Sequence, residues 1–205
     1  MLDTFWFAIA AFERTDAVSP FTSKYDYYLA GQVGLTPQEA WGLELFEGEA
    51  MCSACHLSEP GENGEPPLFT DFTFDNLGVP KNLENPFYDM DKVYLDDGSP
   101  INPLGDLWID KGLGGFLETH PDPAWAAMAP ENMGKHKVPT LRNVAKQPGN
   151  GSSLKAYMHN GVFKDLRTVI LFYNKYNSKS SKRQINPETG ERWRAPYAAD
   201  PGATR

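Results

Sequence analysis

The chain of 205 residues is poor in cysteine and histidine, with two of the first and four of the second. A structural zinc site usually takes four Cys or His ligands as two paired clusters. Here the second cluster would have to come from His120, His136 and His159, which form no H-x3-5-H pair. A thioredoxin-like dithiol is expected beside a βαβ pattern, and none surrounds residue 52. Basic residues are also scarce: 19 Lys and Arg against 27 Asp and Glu give a formal charge of −8. Nucleic-acid binding needs clustered Lys and Arg, so the balance argues against that class. An acidic surface suits docking to a basic redox partner, or simply keeps the chain dissolved. No apolar run approaches the roughly 20 residues that cross a bilayer. The opening "MLDTFWFAIAAFERTD" puts Asp3 where a secretory leader needs basic residues, and offers no small-x-small cleavage site before Glu13. There is no internal repeat.

What is present is concentrated in "MCSACHLS", residues 51–58. Cys52, Cys55 and His56 form C-x-x-C-H and use both cysteines of the chain. This pentapeptide has a physical reading of its own. The two thiols add across the vinyl groups of a haem, and the adjoining histidine, on its short tether, ligates the iron from the proximal side. One covalent haem c is therefore expected on Cys52 and Cys55, with His56 as iron ligand. Such haem is attached outside the cytoplasm, so a periplasmic protein is expected, exported by a signal that this chain does not carry, and the chain reads as a fragment.

High glycine and proline, 18 and 17 residues, predict short helices and long loops. Residues 4–14 place Phe5, Ile9 and Phe12 at helical spacing, and a second short helix over 20–30 carries Phe21, Tyr25, Tyr28 and Leu29. All of these are expected in the core. "GLTPQEAWGLELFEGEAMCSACH" is more explicit. Thr36 is an N-cap, Pro37 the first helical residue and Glu39 the partner in a capping box, while Gly48 is a stop. A helix over 37–47, with Ala40, Leu43 and Phe46 on its apolar face, then leads straight into the cysteines. Residues 57–135 lack periodicity, and so long a loop is expected to be ordered around something, for which a haem suffices. Within it "DNLGVP" and "KGLGGFL" read as tight turns, and Asp96 and Asp97 as a solvated turn rather than half a calcium loop. "GKHKVPTLRNV" reads as an extended segment entering a short helix at Thr140. In "YMHNGVFKDLRTVILFYNKYN" a last helix starts after Asp165, with Leu166, Val169, Ile170 and Tyr173 on one stripe. Residues 178–205 read as a polar tail or linker.

Three segments in order, "GLELFEGEAMCSACH", "KVPTLRNV" and "YMHNGVFKDLRTVILFYN", make the chain resemble the bacterial dihaem cytochrome c peroxidases, including the MauG-type enzymes that oxidise a partner protein. The resemblance is to the C-terminal, second-haem domain. The N-terminal domain with the peroxide-binding haem has no counterpart in these residues. It implies a mostly α, cytochrome-c-like haem domain of short helices and long ordered loops over residues 1–177. In the family the distal iron ligand lies fourteen residues after the histidine of H-x-G, and the fourteenth residue after His159 is Tyr173. Common peroxidases carry Met there and MauG-type enzymes Tyr. Met158 and Met133 are the competing ligands, and Tyr173 also reads as a plain core tyrosine. The resemblance further places Arg142 near a haem propionate, and His159 on the distal side as a hydrogen-bonding group that does not touch the iron. The connection "AKQPGNGSSLKAYMH" is longer than the family's, which puts the family's calcium site in doubt.

The function implied is that of an electron-transfer domain. It passes electrons from a donor protein, a small cytochrome or a cupredoxin, to a peroxide-reducing haem in the missing N-terminal half: H2O2 + 2 e⁻ + 2 H⁺ → 2 H2O. Tyr173 favours a variant that withdraws electrons from a protein substrate. A stand-alone monohaem carrier and a haem-stabilised structural or sensory module are the alternatives. No catalytic residue is assigned, and residues 1–205 alone are not expected to turn over peroxide.

Overall fold

The computed structural model describes residues 2–145, 156–177 and 185–193. The chain divides into two compact units, Met1–Phe69 and Thr70–Arg205.

The first unit contains helices α1 (Leu2–Glu13), α2 (Lys24–Leu29) and α3 (Pro37–Glu47), followed by a 3-10 turn over Cys52–Ala54. Both α2 and α3 begin at a capping box. Ser23 and Asp26 satisfy each other's backbone N–H groups at the start of α2, and Thr36 and Glu39 do the same for α3. These reciprocal bonds satisfy two of the donors that every helix N-terminus leaves open. Lys24 bonds the Glu39 carboxylate and ties the two helix starts together. That bond, with those from the Thr36 N–H and hydroxyl, holds the Glu39 carboxyl down to about 2. The helix expected over 37–47 is thus found with its predicted caps.

The expected core of this unit is corrected. Phe5, Ile9 and Phe12 are exposed, as are Tyr28 and Leu29, while Phe21 and Tyr25 are half-buried. The reason is visible in α1. "FWFAIAAF" is apolar on every side, so spacing does not select one face for burial. The Phe5 and Trp6 rings meet edge to face, with centroids 5.4 Å apart, and no described element of the unit closes over them.

The second unit is built mainly from loops. Its sheet is one antiparallel pair, β1 (Phe74–Asp75) with β2 (His136–Lys137), in the register Phe74 to Lys137 and Asp75 to His136. Between the strands lie 3-10 turns at Pro86–Lys92, Gly105–Leu107 and Pro130–Asn132 and two short helices, α4 (Gly112–Glu118) and α5 (Pro123–Ala126). "KGLGGFL" is therefore largely helix, not a tight turn. "DNLGVP" is not a closed tight turn: Asp75 ends β1, and Gly78, at φ +64°, donates its N–H to the Asn76 side-chain oxygen. Asp96 and Asp97 are exposed in a turn whose Asp97 carboxylate accepts from Ser99. Buried asparagine amides order the long loop. Asn102 donates to the carbonyls of Phe87 and Gly105. Asn82 donates to the Asn160 carbonyl and Asn160 to that of Pro80. A loop can leave the surface only when its backbone polar groups find such partners.

The helix expected at Thr140 is instead a turn, closed by Val144 N–H on the Leu141 carbonyl. Helix α6 (Leu166–Asn177) begins where expected. The Asp165 carboxylate accepts from Arg167 N–H and its carbonyl from Val169 N–H. Its buried stripe is rotated from the one predicted. Thr168 and Phe172 are enclosed, Val169 and Leu166 half-buried, and Ile170 is 62 % exposed and Tyr173 37 %. Phe172 packs in a cluster with Val79, Phe163 and Trp193. Trp193 comes from the segment expected to be a tail. Residues 185–193 close a turn bridged between Ile185 and Arg192 and deliver the indole edge to face against Phe163. Residues 178–184 and 194–205 lie outside the described residues. Replacing a buried tryptophan by alanine costs about 3–5 kcal/mol, so Trp193→Ala is expected to lower stability by about 3 kcal/mol in urea titration. No change would mean that this segment does not belong to the core.

Candidate functional site

The C-x-x-C-H motif follows α3 after a tight approach. Gly48 N–H caps α3 on the Glu44 carbonyl, and Met51 turns into the left-handed region at φ +56° immediately before Cys52. Cys55 and His56 then both donate backbone N–H bonds to the Cys52 carbonyl, at 3.3 and 3.0 Å. The turn holds the two sulfur-bearing residues and the histidine in one short arc. Both cysteines are free thiols. Burial pushes the Cys52 thiol up from its ordinary value, the opposite of the lowered pKa that makes a redox-active thiolate.

The arc is anchored from behind. Ser58, fully buried, donates to the Glu47 carboxylate of α3 at 2.7 Å, and its carbonyl accepts from the Tyr25 hydroxyl of α2 at 3.1 Å. Burial, followed by the charge of Glu47, raises the Tyr25 phenol above its ordinary value, so it stays a donor. Phe69 completes the frame, its ring against Tyr25 at 5.4 Å and Phe46 at 6.1 Å. Its carbonyl stands 2.8 Å from His56 Nδ1.

That contact decides the histidine's chemistry. A carbonyl only accepts, so Nδ1 carries a proton, and Nε2 is the nitrogen whose lone pair the neutral ring would offer. A metal-ligating histidine donates its other ring nitrogen in this way, which fixes its tautomer and orientation. Two free thiols two residues apart, an imidazole anchored through Nδ1 so that Nε2 is left for a metal, and exposed apolar side chains at Met51, Leu57 and Leu68 form a donor set and surface that fit a covalent haem.

The other candidates lie in the second unit. Arg142 is half-buried in the turn after Thr140, whose hydroxyl accepts its N–H. Tyr173 sits on α6 with its ring against Phe172, centroids 5.9 Å apart. Met158, at φ +69°, packs on the Val79–Phe172 core, and Met133 lies against Gly114 of α4. His159 stacks on His136, centroids 3.5 Å apart and planes 8° from parallel. His159 is exposed, yet desolvation by its neighbours, followed by the charge of His136, pushes its pKa down to about 4, against a smaller opposing effect of Asp110. Sequence reasoning weighed His136 with His159 only as half of a four-ligand zinc site and set them aside for want of an H-x3-5-H pair, and it did not consider Asp110. His136 and Asp110 lie 23 and 49 positions from His159 in the chain, and no motif links the three.

A haem-binding domain of the c type is the class that this motif and its histidine geometry define. No family model matches the chain. It is 38% identical over 192 residues to the methylamine utilization protein MauG of Paracoccus denitrificans, covering 94% of this chain and 42% of that protein. It is 32% identical over 171 residues to the cytochrome-c peroxidase IdrP1 of Denitromonas iodatirespirans, covering 82% and 39%. A cytochrome-c peroxidase IdrP1 of a Pseudomonas species is 29% identical over 185 residues, 87% of this chain and 42% of that protein. Over most of its length the chain is thus similar to MauG and cytochrome-c peroxidases, consistent with a partial domain of that kind, and it spans about two fifths of the length of these relatives.

Phe69 holds the His56 acceptor through ring packing. Phe69→Ala is therefore expected to lower stability by about 2 kcal/mol, roughly half the cost for a fully buried phenylalanine, and to shift the haem reduction potential while the haem remains covalently bound. Urea titration and spectroelectrochemistry check the two effects. An unchanged potential would show that the ring does not control the histidine's acceptor.

Proposed function

We propose that this chain is the haem-bearing electron-transfer part of a MauG-like or cytochrome-c-peroxidase-like oxidoreductase, with a cytochrome-c-like fold and one covalent haem on Cys52 and Cys55. The observation that carries the reading is the His56 Nδ1 bond to the Phe69 carbonyl, which leaves Nε2 for the iron. When bound, the haem supplies a reversible one-electron centre. The chain's own residues do the rest. Cys52 and Cys55 fix the group in place, His56 sets its proximal side, and the Ser58–Glu47–Tyr25 bonds keep that histidine from turning.

The family resemblance supports the remaining assignments. Tyr173 supplies the distal ligand, in preference to Met158 or Met133. Arg142 meets a propionate, where its guanidinium fork matches a carboxylate, and His159 contributes hydrogen bonding on the distal side. Met158 already packs on the core of its unit, which favours a structural role for it. Tyr173 is 37 % exposed on α6, so it is not a fully enclosed core tyrosine. The family's calcium site concerns the connection over 145–159, of which 146–155 lie outside the described residues, and no ligand is assigned to it. The partners are a donor protein or oxidisable protein substrate and the N-terminal haem domain of the family, and the setting is the periplasm. No described helix is long and apolar enough to cross a membrane.

An anionic phenolate stabilises ferric iron, whereas a thioether ligand raises the potential. Tyr173→Met is therefore expected to raise the reduction potential, and Tyr173→Phe to leave five-coordinate or water-bound iron, both read from optical spectra during redox titration. Wild-type behaviour in both variants would remove Tyr173 from the site. The haem-loaded chain alone is expected to reduce peroxide at least about 100-fold more slowly than an intact dihaem relative, the scale of missing acid–base assistance. Turnover at the relative's rate would contradict an electron-transfer role.

A further inference from the structure

We propose that Asp110, His136 and His159 form a binding site for a divalent transition-metal ion of the zinc type. One ligand atom from each lies within 4.8 Å of the other two. Imidazole nitrogens and a carboxylate are the donors that ions of this class take, as distinct from the all-oxygen cages of calcium and magnesium.

The three side chains arrive from separate segments, each tied to its neighbours. Asp110 is held by its own loop, where its carboxylate accepts from Gly112 N–H at 2.9 Å. That loop is clipped to the strand bearing His136. Leu113 N–H donates to the Lys135 carbonyl at 2.8 Å and Gly134 N–H to the Lys111 carbonyl at 2.9 Å. The approach is so close that a Cβ on Gly112 would lie 2.2 Å from the Lys135 carbonyl oxygen. His136 is fixed by its pairing with Asp75 in the sheet. His159 sits in a loop closed by the bridge from Tyr157 to Phe163 and pinned by the Asn160 and Asn82 amide bonds. Donors borne on such supported backbone are positioned before any ion arrives.

A metal ligand must offer a lone pair, so an ion taken up here competes with protons for the imidazoles. The Asp110 carboxylate oxygen that accepts from Gly112 has its orientation fixed, as carboxylate ligands of metal sites do. Among the described residues neither imidazole of the stacked pair has a hydrogen-bond partner, so no protein bond must break for the rings to turn toward an ion. Tetrahedral zinc, with bonds of about 2.0–2.1 Å, spaces its ligand atoms roughly 3.3 Å apart. The donors therefore need a small inward rotation to meet it. Three protein donors leave a fourth position for water or another small ligand.

The test uses the full haem-loaded chain, stripped with chelator and titrated with Zn²⁺ by calorimetry. Haem content per chain is measured in parallel, so that loss of haem and loss of zinc binding are told apart. The expected result is one equivalent of Zn²⁺ per chain. Asp110→Asn and His136→Gln should each weaken it by at least about 10-fold, the lower end of what losing even an outer-shell partner costs. His120→Gln serves as the control, because His120 lies outside the cluster and stacks on Trp125, and it should leave binding unchanged. His159 is kept out of the variant set because the family resemblance gives it a place near the haem. Asp110→Asn preserves shape, so thermal unfolding unchanged from wild type would confirm that weaker binding comes from the lost charge. Absence of Zn²⁺ uptake, or uptake that survives both variants, would overturn the proposal.

Discussion

The hydrogen bond between His56 Nδ1 and the Phe69 carbonyl is the constraint on which the rest of the first unit depends. A bond of this kind is worth only about 1 kcal/mol in net stability, and stability is not its main effect. It selects one tautomer of an imidazole and thereby creates one lone pair in one direction. Keeping the carbonyl in place requires Phe69 at φ +53°, an uncommon conformation for a bulky residue that is tolerated where surroundings hold it. The rings of Tyr25 and Phe46 are those surroundings. Non-glycine residues at positive φ recur beside the candidate residues, with Met51 before Cys52 and Met158 before His159. Strain of this sort collects where a side chain must be aimed rather than merely buried.

The parts of this arrangement legible in the sequence were those encoded within a few residues. Thr36, Pro37, Glu39 and Gly48 fixed α3 to its ends, because capping is a local contest between a side chain and a nearby N–H. Cys52, Cys55 and His56, the proposed attachment residues, lie within one short turn, so their meeting is also written in adjacent sequence. Asp165 marked the start of α6 for the same local reason. The capping box at Ser23 and Asp26 was equally local, and it sets the start of α2 inside the broader stretch first assigned.

What was missed depended on distant partners. The stripe of α6 came out rotated because Phe172 is chosen by Val79, Phe163 and Trp193, none of which its own periodicity reveals. Trp193 lies in a polar stretch without pattern, yet it closes that core. The aromatic face of α1 was expected inside, but a helix apolar on all sides carries no information about which face to bury. The order of residues 70–135 rests on Asn82, Asn102 and Asn160, whose amides reach backbone carbonyls 78, 15 and 80 positions away. The meeting of Asp110, His136 and His159 is of the same long-range kind.

The family relationship and the motif geometry converge on one claim: that this chain carries its haem through Cys52 and Cys55. The most direct measurement is the mass of the intact chain under denaturing conditions, after production in a host that matures c-type cytochromes. The account predicts the mass of the polypeptide plus one haem, and the bare polypeptide mass when both cysteines are replaced by alanine. A wild-type chain that is spectroscopically mature when folded but shows the bare polypeptide mass on denaturation would contradict it.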